Sequence, residues 1–133
     1  MNKFTATITK IKSVENLNIV NFDFSGQSLS MMSLDLNEKV DVGCQVILTA
    51  KPTHIAIAKE FSGEISYSNQ LDAKIIEINN GELLSSIKLN TGDATCESII
   101  TKNSSLRMNL KVGDSVTLFI KASELSIKEI IEC

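Results

Sequence analysis

Apolar and polar residues alternate with a period of two along much of the chain. Phe4, Ala6 and Ile8 are separated by polar positions, and Ile19 and Val20 lead into Phe22 and Phe24. Further along, Leu71, Ala73 and Ile75 are followed by Ile87 and Leu89. Alternation of this kind predicts half-buried strands, because successive side chains of a strand point to opposite faces of its sheet. Turn-forming triplets punctuate these segments: Ser25-Gly26-Gln27, Val42-Gly43-Cys44, Asn79-Asn80-Gly81, Thr91-Gly92-Asp93 and Val112-Gly113-Asp114. Short strands with frequent turns predict a barrel. Only SLDLNEKVDVG and NSSLRMNLKVG read as helical turns, each running to a glycine suited to the left-handed position after a helix.

The pattern occurs twice. Asn2, Ala6 and Ile8 recur as Asn69, Ala73 and Ile75 at an offset of 67. Val42, Gly43, Val46, Leu48, Lys51 and Ile57 recur as Val112, Gly113, Val116, Leu118, Lys121 and Ile127 at an offset of 70, which places a three-residue gain in a loop between the anchors. The expected organisation is a unit over 1–60, a linker over 61–68 and a second unit over 69–133. Each unit is expected to be a five-stranded OB-like barrel with one short helical turn, making an all-β tandem.

Composition narrows the function classes. The 133 residues carry a net charge of −3, and Arg107 is the only arginine among thirteen basic residues. A long-range positive field of the kind that gathers nucleic acid is not expected. Six aromatic residues without tryptophan leave little for stacking bases, so a nucleic-acid-binding barrel is a weak alternative. The apolar runs are too short for a membrane span, and no apolar segment follows the N-terminal lysines, so a cytoplasmic protein without membrane contact is expected. Cys44, Cys96 and Cys133 are odd in number and far apart beside a single histidine, which argues against a disulfide framework and against a metal site. Met31 and Met32 read as core, and Glu15 and Glu82 as solvated turn residues. No nucleophile with a neighbouring base is present in sequence, so an enzyme is not expected.

The chemistry that remains lies in a repeated tripeptide. The first copy reads Lys51-Pro52-Thr53 and the second Lys121-Ala122-Ser123. Lysine supplies a charge and three rotatable donors, the hydroxyl residue supplies an O–H, and a tight turn directs backbone N–H groups inward. That set suits a tetrahedral dianion. Pro52 has no N–H to give where Ala122 has one, so the first copy is the poorer donor set. His54 follows the first tripeptide and is a candidate for pH-sensitive anion contact.

Asn69-Gln-Leu at a strand start, Ile99-Ile-Thr-Lys-Asn-Ser104, Leu110-Lys-Val-Gly-Asp-Ser-Val116 and Ile120-Lys-Ala-Ser123 span nearly the whole second copy. In this order they resemble the molybdate-binding TOBE domains, which occur paired as molbindins and as the sensor half of a molybdate-responsive transcription regulator. Asn2-Lys-Phe, Val42-Gly43 and Lys51-Pro-Thr53 give the first copy a fainter form of the same resemblance.

The resemblance implies a molybdate or tungstate ligand, a role in storage, buffering or homeostasis, and a homo-oligomer with sites between units or subunits. It implies oxyanion contacts from Thr101, Ser104, Lys121, Ala122 and Ser123, and further ones from Lys51, Thr53, Ser66, Ser68 and Asn69. The chain departs from the family where an arginine commonly precedes the first strand: Ser68 stands there, in Ser66-Tyr67-Ser68-Asn69. A sensor module acting through a protein partner is the alternative role. No helix-turn-helix precedes Asn2, so direct DNA binding is not expected.

Overall fold

A computed structural model describes all 133 residues. Ten strands follow one another as β1 (Asn2–Val14), β2 (Leu17–Phe24), β3 (Gln27–Ser33), β4 (Gln45–Ala50), β5 (Ile55–Ala58), β6 (Asn69–Asn80), β7 (Leu84–Thr91), β8 (Ala94–Thr101), β9 (Ser115–Ile120) and β10 (Ser126–Glu132). They form two five-stranded sheets in the tandem OB-like arrangement that the repeat predicts. A single helix, α1 (Lys102–Arg107), follows β8, and short 3-10 turns span Pro52–His54 and Ala122–Glu124.

The order of strands within the sheets is not the order of the repeats. Sheet 1 runs β10-β4-β1-β2-β3 and sheet 2 runs β5-β9-β6-β7-β8. Each half of the chain therefore gives its last strand to the other half. β10 pairs antiparallel with β4, with Ser126 opposite Thr49 and Ile130 opposite Val46. β5 pairs antiparallel with β9, with Ile55 opposite Ile120 and Ala58 opposite Thr117.

Both long strands bend at the same place. β1 pairs with β4 as far as Thr7 and has an irregularity between Ile8 and Lys10 in its pairing with β2. β6 repeats this between Ile75 and Glu77. A bulge sharpens local twist and lets one strand serve two edges of a curled sheet. Equivalent turns anchor the corners: Gly43 N–H donates to Ile8 O and Gly113 N–H to Ile75 O, each at 2.8 Å. Both glycines hold positive φ, +94° and +97°, which a side chain would disfavour.

Reciprocal contacts give the halves an approximate two-fold relation. Asn2 accepts from Glu97 N–H and donates to Glu97 O, both at 2.8 Å. Asn69 does the same to Ser30, at 2.6 and 2.9 Å. Each asparagine thus satisfies a backbone pair on the edge strand of the opposite sheet, at positions that are equivalent in the repeat. The inward residues of both sheets merge into one core, in which Phe4 meets Phe24 edge-on at 5.3 Å and which includes Ile55, the first residue of β5, and Leu125, just before β10.

Two sequence expectations are corrected. SLDLNEKVDVG forms no helix: residues beyond Ser33 make only turns before β4. In the second half Thr101 caps α1 by accepting from Ser104 N–H, whereas Leu34 stands at the equivalent place (offset 67) and has no acceptor to offer. After α1 the left-handed residue is Asn109, with φ of 51°, and Gly113 belongs to the turn before β9.

The second correction concerns cysteine. Cys44 and Cys133 form a disulfide across 89 residues of sequence. Spacing in sequence hides this pair, because strand exchange is what brings the end of β10 alongside the start of β4. Cys96 is free and buried, and burial pushes its thiol up to about 11, so it is an inert core residue at neutral pH.

Candidate functional site

The two lysine turns begin where β4 and β9 end. In each, the lysine takes an extended backbone and the next three residues close a 3-10 turn: His54 N–H donates to Lys51 O at 2.9 Å and Glu124 N–H to Lys121 O at 2.8 Å. Proline is accommodated at Pro52 because the first position of such a turn needs no donor. The turns then lead directly into the exchanged strands, so each turn leaves its own half. The first packs against β8 and the second against β3.

This crossing re-sorts the residues expected to act together. Thr101 and Ser104 sit at the end of β8 and the start of α1, and Thr101 lines a separate cleft of about 520 Å³ with Leu83, Leu84, Lys102 and Asn103. Lys121-Ala122-Ser123 packs toward β3 instead. Thr101 Oγ1 donates to Ser104 Oγ at 3.0 Å and accepts from Ser104 N–H at 3.2 Å, while Arg107 Nη2 approaches Ser104 Oγ at 3.4 Å. These hydroxyls cap a helix.

Between the two turns lies a cleft of about 320 Å³ lined by Thr53, His54, Ile55 and Ala56 of the first half, Tyr67 of the connecting segment, and Ile99, Ile100, Lys121 and Glu124 of the second. Thr53 and Lys121, one donor from each repeated tripeptide, meet here. Lys51, Ala122 and Ser123 occupy the turns without lining the cleft, and Ser66 and Ser68 are exposed on either side of Tyr67. Asn69 is fully buried with its amide spent on Ser30, which makes it a structural residue.

His54 and Glu124, equivalent at the offset of 70, face each other across the cleft, with Nδ1 2.9 Å from Oε2. Sequence reasoning singled out His54 but not Glu124. The signal available was that both directly follow the repeated tripeptide. Tyr67 was also missed. Its ring meets Phe119 edge-on at 6.0 Å, and its carbonyl accepts from Gln70 Nε2 at 2.9 Å, so the connecting segment is fixed against β9.

Three other clefts are larger; two of them, of about 570 and 800 Å³, flank Glu60 and Phe61, and the third, of about 520 Å³, holds Thr101 and Lys102. The first sets Glu60 and Asp72 against Lys74 alone, an unfavourable balance for an anion. In the second, Lys59 has spent its donors on Met108 O, Asn109 O and Asp114, and Arg107 stands in the lining with Glu60. The cleft between the lysine turns is the candidate taken for an anion because both repeated tripeptides reach it, through Thr53 and Lys121. No group of three or more histidine, cysteine or acidic side chains is placed to hold a metal ion. No helix is long and apolar enough to cross a membrane.

The architecture defines a tandem all-β protein of the OB-like class with a cleft between its halves. Residues 65–127 match the TOBE domain family. The fold of almost the whole chain is that of the cytoplasmic molybdate-binding protein ModG, crystallised with molybdate bound: TM-score 0.87 at 23% identity, covering 95% of this chain and 94% of that one. A molybdate-binding protein from Sporomusa ovata is also similar, at 30% identity over 50% of this chain and 100% of its own, with a TM-score of 0.49. No curated protein sequence matches the chain.

Proposed function

We propose that the protein binds molybdate, without catalysis, for storage or buffering of the oxyanion in the cytoplasm. The observation that carries this reading is the convergence of Thr53 and Lys121, one from each repeat, on a cleft in a fold shared with a protein crystallised with molybdate. Lys121 supplies the charge and Thr53 a hydroxyl, both of which favour oxygen-rich anions, and the imidazole of His54 stands beside them. Lys51 and the hydroxyls of Ser66, Ser68, Thr101, Ser104 and Ser123 stand on the surrounding segments, within the same two turns and their neighbours. Tungstate, a dianion of the same shape, is taken by the same donors.

With Ser68 in place of an arginine, charge must come from elsewhere, and association of copies of the chain is the proposed source of further donors. Titration calorimetry with molybdate, tungstate and sulfate, together with the mass in solution, tests all of this. Binding of the first two in preference to sulfate, with an oligomeric mass, is the expected result. Absence of heat with molybdate overturns the reading.

A further inference from the structure

We infer that His54 and Glu124 form a proton-operated counter-charge within the oxyanion cleft, so that the anion and a proton are taken up together. The inference rests on the oxyanion reading of this cleft and names the residues that regulate it.

The cleft contains an element that works against its proposed ligand. Glu124 lies one helical turn from Lys121 on the same 3-10 segment, and both side chains line the same space. A carboxylate there competes with an arriving dianion for the ammonium and repels it directly. What offsets the carboxylate is His54, 2.9 Å away on the opposite turn. The two side chains are 35% and 40% exposed, open enough to exchange protons with solvent.

An imidazole changes charge between about pH 5 and 8. When His54 is neutral, Glu124 keeps its full charge and the cleft holds one cation against one anion. When His54 is protonated, it neutralises Glu124, leaves Lys121 uncompensated, and both ring nitrogens become donors. The arriving dianion stabilises the protonated imidazole in turn, because linkage is reciprocal. Anion affinity therefore rises as pH falls through the imidazole range.

Other charged groups near this pair are few. On the first turn Lys51 is exposed at its start, and on the second there is Lys121. Tyr67 is the titratable group of the connecting segment, and β8 presents the apolar Ile99 and Ile100. Glu97, two residues before Ile99, is engaged with Ser86.

The repeat explains why such a pair can exist. Positions 54 and 124 are equivalent, and the approximate two-fold relation sets them face to face. Two identical units would place like residues here, either two imidazoles or two carboxylates. Joining the units in one chain lets the two positions diverge into complementary charges.

The test is calorimetric titration of the full chain with molybdate at pH 6.5 and 8.5, for the native protein, His54→Gln, Glu124→Gln and the double variant. Native affinity is expected to be higher at pH 6.5 by about tenfold. Glu124→Gln should tighten binding at pH 8.5 and flatten the profile. His54→Gln should bind weakly at both pH values, and the double variant should show no slope. Binding that is equally tight at both pH values in the native protein overturns the inference while leaving the oxyanion reading intact. A lowered Tm for His54→Gln with the native pH slope retained also overturns it, since that result describes a structural clip. Absence of molybdate binding in the native protein at either pH overturns the oxyanion reading and this inference with it.

Discussion

The two exchanged strands are held by different chemistry at equivalent positions. β10 is fastened to the first half through Cys44, which lies just before β4 and bonds to Cys133. β5 is fastened to the second half through Asp114, just before β9, which pairs at 3.4 Å with Lys59 immediately after β5. Cys44 and Asp114 correspond in the repeat, both beside the positive-φ glycine of the corner turn. Each corner of the duplicated architecture carries a tether, a covalent bond in one and an ion pair in the other. The two tethers differ in what releases them: a reductant for one, acid for the other.

Opening the covalent tether is the largest expected perturbation. Reduction of Cys44–Cys133, or Cys44→Ser, should lower stability by about 2–4 kcal/mol in denaturant unfolding under oxidising conditions. In a reducing compartment, where such bridges are normally open, native protein and the Cys44→Ser variant should become nearly equal. An undiminished gap under reductant would mean that Cys44 acts through packing.

The reciprocal asparagines come next. Asn69→Ala removes two hydrogen bonds and leaves a Ser30 backbone pair without partners, at an expected cost of about 2–3 kcal/mol. Asn2→Ala should cost a similar amount. A large difference between them would show that the halves do not share the load evenly.

On the binding side, Lys121→Ala should weaken molybdate binding by about tenfold, or about 1.4 kcal/mol, with the fold unchanged by circular dichroism. Lys51→Ala should weaken it less, because Lys51 does not line the cleft. Equal and negligible effects would remove the lysine argument.

The smallest effect belongs to the ionic tether. Asp114 is held below the usual carboxylate range chiefly by the backbone N–H of Lys111, an effect opposed by burial and assisted by Lys59. A carboxylate lowered by folding stabilises above its unfolded range, and that contribution is lost as pH falls through the folded value. Asp114→Asn should therefore lower Tm modestly near neutral pH, and the difference should shrink below about pH 4. The covalent tether shows no such dependence. A pH-independent gap would assign the role of Asp114 to geometry alone.

How much of this was legible beforehand follows from which interactions are local. Period-two alternation around Phe4 and Leu71 and the glycine turns are local signals, and they gave the strands, the duplication and the OB-like class. Strand exchange is not local. Ile55-Ala-Ile-Ala and Leu125-Ser-Ile-Lys occupy equivalent places, and either can complete either edge, because the repeat makes β4 and β9 alike. The same degeneracy hid the Cys44–Cys133 bond and the meeting of His54 with Glu124.

Lys121 reaches the cleft beside Ile99 and Ile100 of β8, whereas Thr101, the next residue but one after Ile99, lines a different cleft. The helix missing from the first half had a readable cause, since Leu34 cannot cap where Thr101 does. The tripeptides located the cleft but not its lining: only Thr53 and Lys121 of those residues face it.

The exchange also governs how the molecule is completed during its synthesis. β1 to β4 leave the ribosome early, yet sheet 1 waits from Ala50 until Ser126 for its fifth strand. Pairings so distant in sequence form slowly. Until then β4 presents an unpaired edge, which is a template for any matching strand. A chain interrupted before β10 is expected to keep that edge open, so that premature termination yields an aggregation-prone species instead of a smaller folded monomer.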